Sequence, residues 1–217
     1  MRPHLFLSLL FLLAGCSVLI RPDPQRAEDY RLQAEQAVAR KDFPTATSAL
    51  RAALWRAPQQ GSLYLRQGEL LERTGKFRPA QRIYRQGLQA GPEEGDRQLL
   101  AWRLSLLQSL RLGNQGQARP ALEALPFDSP LRADLLGVLA LRGDDPQAAL
   151  GHFAQALAGN LSEDLAATVY YHAALAHRQL GGETEALEAL FQAANRAENL
   201  ALITDLERLW NDLNADE

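Results

Sequence analysis

A single cysteine occurs in the 217 residues, so no disulfide can form within the chain and its stability has to come from packing. Catalytic signatures are missing too. There is no HExxH, no GxSxG, no phosphate-binding P-loop and no GxGxxG, so neither an enzyme nor a cofactor is expected. Charge of one sign does not dominate: the net charge is −3 and the pI about 5.9, which argues against a nucleic-acid binder. Long apolar runs are lacking as well. The stretch from Leu5 to Leu13 is the longest, and about nine residues span only ~14 Å as helix, half of the ~30 Å hydrocarbon layer.

What is present is alanine, leucine, arginine and glutamate, with few β-branched residues, a mixture that favours helix nearly everywhere. Hydrophobic residues are 47% and charged residues 23%, ordinary for a chain that buries a core. The charges are sorted along the chain. Residues 21–120 hold 17 Lys/Arg against 10 Asp/Glu, and residues 121–217 hold 5 against 16. Two readings stand: solvated surfaces of drifting composition, or a molecule with one basic and one acidic end.

The one cysteine follows the apolar stretch. Arg2 gives a positive start, Leu5 to Leu13 form a short hydrophobic core, and Leu13-Ala14-Gly15-Cys16 closes it, the layout of a signal peptide. The last four residues resemble a bacterial lipobox. That resemblance implies a signal peptide over residues 1–15, cleavage before a triacylated Cys16, and near-permanent membrane attachment by several acyl chains. Ser17 after the cysteine implies transfer to the periplasmic face of the outer membrane. Residues 16–26 read as a lipidated tether stiffened by Pro22 and Pro24.

From residue 27 helical spacing continues to the end, and it repeats. Residues 27–60 carry Tyr30, Ala34, Ala46, Leu50, Ala53 and Pro58, and 34 residues later come Tyr64, Gly68, Ala80, Tyr84, Gly87 and Pro92. Later units start near Leu99, Pro130 and Ala167, so the starts are separated by 34, 38, 31 and 37 residues. The pattern resembles the tetratricopeptide repeat (TPR), a 34-residue helix–turn–helix. Small residues at positions 8, 20 and 27 let two helix backbones approach, and aromatics at positions 4 and 24 fill the wedge between neighbouring repeats. The fold class that follows is all-α, a TPR α-solenoid over residues 27–213, with about five helix pairs and a C-terminal capping helix. The irregular spacing places extra or missing residues in loops near 95–98, 126–130 and 159–166. Leu202, Ile203, Leu206, Leu209, Trp210 and Leu213 form the apolar face of the last helix, expected to shield the final repeat.

His172 and His177 are five apart on one helix, poorly placed to share a metal, and read as packing or surface residues. Asp144-Asp145 reads as a helix entry. What remains for function is the concave groove that the resemblance implies, lined by positions 2, 5, 9 and 12 of each first helix. Arg103, Leu107, Val138, Tyr171, Leu175 and Arg178 combine an apolar strip with guanidinium groups, suited to an amphipathic helix or extended peptide with acidic groups. Several of these apolar residues can equally pack inside the superhelix or under the last helix. Arg31 followed by Glu35 departs from the Lys/Asn clamp of chaperone-binding TPR domains. The resulting expectation is a membrane-anchored scaffold for a cell-envelope assembly, with protein partners and no small-molecule substrate. Narrower versions are a pilotin-like factor for a type IV pilus or secretion system, and a docking regulator of peptidoglycan enzymes.

Overall fold

The structure, a computed structural model, describes residues 22–114, 116 and 119–214. The expected signal peptide, Cys16 and Ala118 lie outside these residues. Eleven helices are described: α1 (Pro24–Ala39), α2 (Phe43–Arg56), α3 (Gly61–Arg73), α4 (Phe77–Gln89), α5 (Glu94–Leu110), α6 (Arg119–Ala124), α7 (Pro130–Arg142), α8 (Pro146–Leu157), α9 (Glu163–Gln179), α10 (Glu183–Ala194) and α11 (Leu200–Asn214). They form five consecutive pairs and a terminal helix. Successive first helices α3, α5, α7 and α9 contact one another and make an inner layer, leaving the second helices outside.

The turn within each pair fixes the register. Lys41, Gly75, Gly113, Asp144 and Gly181 adopt left-handed φ values of 59°, 71°, 68°, 65° and 76°. Their separations are those of the repeat starts, 34, 38, 31 and 37 residues. In four of these turns the next N–H reaches back five residues, as from Asp42 to Ala37 at 2.9 Å and from Gly182 to His177 at 3.0 Å. This closure satisfies the last carbonyls of the first helix and reverses the chain. Asp42 and Asp145 then start the second helices by accepting from the N–H groups of Thr45 and Ala148, with Pro44 and Pro146 in the first turn, where a missing N–H costs nothing.

The large residue at position 24 packs on the small one at position 8 of its own repeat, not only between neighbouring repeats. Gly68 lies under the Tyr84 ring and Gly137 under the Phe153 ring, leaving no room for a Cβ at either glycine. Tyr84 and Phe153 are fully buried.

Four details differ from the sequence reading. Helix α1 starts at Pro24, not Ala27, because Asp23 accepts from the Arg26 N–H and proline suits the first turn. The surplus residues at 95–98 and, of the expected loop 159–166, residues 163–166 lengthen helices, while 159–162 remain a loop. Glu94, Asp96, Glu163 and Asp164 sit in the first turns of α5 and α9, where the helix dipole favours carboxylates. The third pair is lopsided, its second helix α6 being six residues long and bounded by Pro126. Finally, α11 does not simply cap the end. It packs on α10 and also reaches back to α3.

Candidate functional site: the inner surface and the helix that crosses it

The acidic first turn of α9 positions α11. The Asp164 carboxylate accepts from the Glu198 and Asn199 N–H groups at 2.8 and 2.6 Å. Asn199 in turn accepts from Ala201 and Leu202 at 2.9 and 3.0 Å, capping α11. From there α11 buries Leu202, Leu206 and Leu209, four and three residues apart as one helical face requires. Asp205 pairs with Arg111 of α5, and Asp212 lies 3.4 Å from Arg178 of α9. Trp210, assigned to the apolar face from sequence, stands outside this stripe and is 51% exposed.

Two polar networks lie beneath. Asp134 of α7 accepts from Trp102 Nε1 of α5 at 2.9 Å and sits 2.8 Å from His172 Nδ1 of α9, so one buried carboxylate joins three first helices. Nearer the N-terminus, Arg103 Nε is 3.3 Å from Glu72 Oε1, and Glu72 also accepts from the Tyr84 hydroxyl. Burial alone would lower the Arg103 guanidinium pKa, but Glu72, Tyr84 and Glu69 hold it above the ordinary value. Burial pushes the neighbouring Glu69 carboxyl up to about 7.

The six groove residues do not form one open surface. Val138 has no exposed area and Leu107 only 2%; both belong to the packed interior. Arg103 is buried in its ion pair, and Tyr171 is 8% exposed in a narrow seam under α11. Burial, with Asp205 nearby, pushes the Tyr171 hydroxyl up to about 12. Leu175 is half-buried and Arg178 exposed. A cavity of about 450 Å³ remains open beside α11 and brings together Tyr171, Leu175 and Arg178 with Leu141, Arg142 and Arg208. Its Arg111, Arg142, Arg178 and Arg208 outnumber its carboxylates, Asp205 and Asp212, so it favours an acidic, partly apolar occupant.

Among the described residues no group of three His, Cys, Asp or Glu side chains is placed to hold a metal, and no helix is long and apolar enough to cross a membrane. Asp145 caps α8, and His172 is held by Asp134. Sequence reasoning missed the Asp134–His172 pair and the return of α11. Position alone pointed to neither, since the paired residues are 38 apart.

No family model matches the chain, and no curated protein matches it in sequence. Solved structures do match it in shape. The Cut9 chain of the APC/C Cut9–Hcn1 hetero-tetramer superposes with a TM-score of 0.62 at 20% identity over 97% of this chain. The thermophilic TPR protein TTC0263 of Thermus thermophilus gives 0.57 at 17% identity, covering 85% of this chain and 98% of its own. The fold is that of the TPR proteins. BtubC from P. vanneervenii, at 0.53 and 21% identity, covers 77% of this chain and 78% of its own. This chain spans 44% of the Cut9 chain, less than half of that protein's length.

Proposed function

We propose that this protein is a lipid-anchored, non-catalytic TPR scaffold of a bacterial cell envelope that docks an acidic segment of a partner protein. The observation that carries the reading is the open cavity beside α11. It combines Leu141 and Leu175 with an excess of guanidinium groups, the chemistry that takes an apolar side chain flanked by carboxylates. The neighbouring helix α11 already satisfies the same surface in this way, with Leu209 and Asp205 lining the cavity. The fold also suits the role, since Cut9 assembles with Hcn1 in its hetero-tetramer. Anchoring rests on Leu13-Ala14-Gly15-Cys16 after the short apolar stretch, and the envelope placement follows from that motif.

Two measurements test the reading. Leu175→Ala with Arg178→Ala should weaken partner capture from detergent-solubilised membranes at least about tenfold, or ~1.4 kcal/mol, while helicity persists. Undiminished capture would exclude the cavity as the docking site. Cys16→Ser should release the protein from the membrane fraction, and a variant that still sediments with membranes would dismiss the lipid anchor.

A further inference from the structure

Charge on the outer layer is sorted by repeat. Helices α2 and α4 carry Arg51, Arg56, Arg78, Arg82 and Arg85 and no acidic residue, whereas α10 carries Glu183, Glu185 and Glu188 and no basic one. On α4, Arg78, Arg82 and Arg85 follow helical i, i+4, i+7 spacing and form one exposed stripe. On α2, Arg51 and Trp55 are four apart and both exposed, with Trp55 at 65%. None of the ion pairs among the described residues involves Arg51, Arg56, Arg78 or Arg82. These four cations are therefore balanced only by mobile ions or by an anionic surface.

The chain path says which surface is near. The Asp23 N–H donates to the Arg56 carbonyl at 2.9 Å, so the start of α1 lies beside the end of α2 that holds Trp55. Cys16 precedes Asp23 by seven residues, a reach of at most ~25 Å. An acyl chain on Cys16 therefore keeps this end of the solenoid close to the bilayer, where attraction to charged lipid is not lost to screening over many Debye lengths.

We propose that the outer face formed by α2 and α4 lies on the anionic surface of the membrane that holds the chain, an inference resting on the lipid-anchor reading of Cys16. Trp55 sits at the headgroup layer, the depth favoured by amphipathic aromatic rings. The arginines lie over lipid phosphates, whose geometry a guanidinium matches with paired hydrogen bonds. Because α2 and α4 belong to the outer layer, this placement turns the inner-layer cavity away from the bilayer and toward soluble partners.

The full-length acylated protein is reconstituted on phosphatidylcholine vesicles with and without phosphatidylglycerol, using brominated acyl chains to quench tryptophan. Trp102 is buried and Trp210 lies at the far end of the chain, so Trp55 is the reporter. Quenching should be strong with phosphatidylglycerol and should largely vanish in Trp55→Phe, a surface change that spares the core. It should fall at least about threefold in the Arg78→Glu, Arg82→Glu, Arg85→Glu variant, while that variant still cosediments. An acylated, cosedimenting protein without Trp55 quenching overturns the proposal and leaves the anchor intact. Quenching that disappears in Trp210→Phe instead places the opposite end on the membrane and also overturns it. Arginine-dependent binding to soluble heparin without quenching assigns the face to another acidic macromolecule. A Cys16 without acyl groups removes both readings together.

Discussion

His172 and Asp134 meet on adjacent first helices with Nδ1 and Oδ1 2.8 Å apart and almost no exposure to water. The same carboxylate receives the Trp102 indole N–H, so a single side chain satisfies donors from the helices on either side of its own. Removing it strands two buried polar groups, and loss of one member of a buried pair is far costlier than loss of an exposed one. Asp134→Ala should destabilise the protein by about 3–5 kcal/mol, read as a shift in the urea midpoint. A shift no larger than that of an exposed control such as Asp128→Ala would contradict the network.

Glycines in this chain divide by what surrounds them. A Cβ on Gly68 or Gly137 would run into a buried aromatic ring, whereas Gly151, within α8, has nothing near it. Gly68→Ala and Gly137→Ala should therefore each cost about 1–3 kcal/mol through overpacking. Gly151→Ala should raise the melting temperature, gaining up to about 1 kcal/mol from helix propensity. Equal effects at the three positions would mean that the pairing of position 8 with position 24 is wrong.

Glu69 gives stability a pH dependence of defined sign. Its carboxyl is pushed from 4.5 up to about 7, chiefly by burial, so between these values the folded chain holds a proton that the unfolded chain has released. Stability from this group is full below pH 4.5 and is lost as pH rises through about 7. Glu69→Gln should leave the melting temperature near the parent's at pH 4 and raise it above the parent's at pH 8. A difference that does not grow with pH would show that Glu69 is not perturbed.

Local signals carried most of the fold. Pro58, Pro92 and the small–large alternation of Gly68 with Tyr84 set the register, and the left-handed turn residues Lys41 and Asp144 respect it although neither is glycine. Pro24 misled because proline both stops helices and starts them, and only the Asp23 cap distinguishes the two. The loop assignment failed for residues 95–98 and for the second half of 159–166, because surplus residues carrying Asp and Glu are stable as the first turn of a helix. The candidate site was less legible. Positions 5 and 9 of a first helix face inward, which fits Arg103 and Leu107, but nothing local shows that α11 arrives from about a hundred residues away to cover them. The arginines of α4 follow a helical stripe in sequence; that Arg78 and Arg82 join none of the ion pairs among the described residues needed the assembled layers.

The contact between α11 and α3 changes what kind of folding unit this is. In an open solenoid each repeat touches only its neighbours, so stability is close to a sum of local contributions and ends can fray without consequence for the middle. Here the last helix is fastened to the second repeat, and Asp205–Arg111 adds a clasp to the third. The spring becomes a loop. Its final link is made between residues far apart in sequence, which slows folding relative to a purely local array and leaves the second repeat incompletely covered until the C-terminus has been synthesised. Fraying at the tail is then felt more than a hundred residues upstream, and unfolding is expected to be one concerted transition in place of a repeat-by-repeat unzipping.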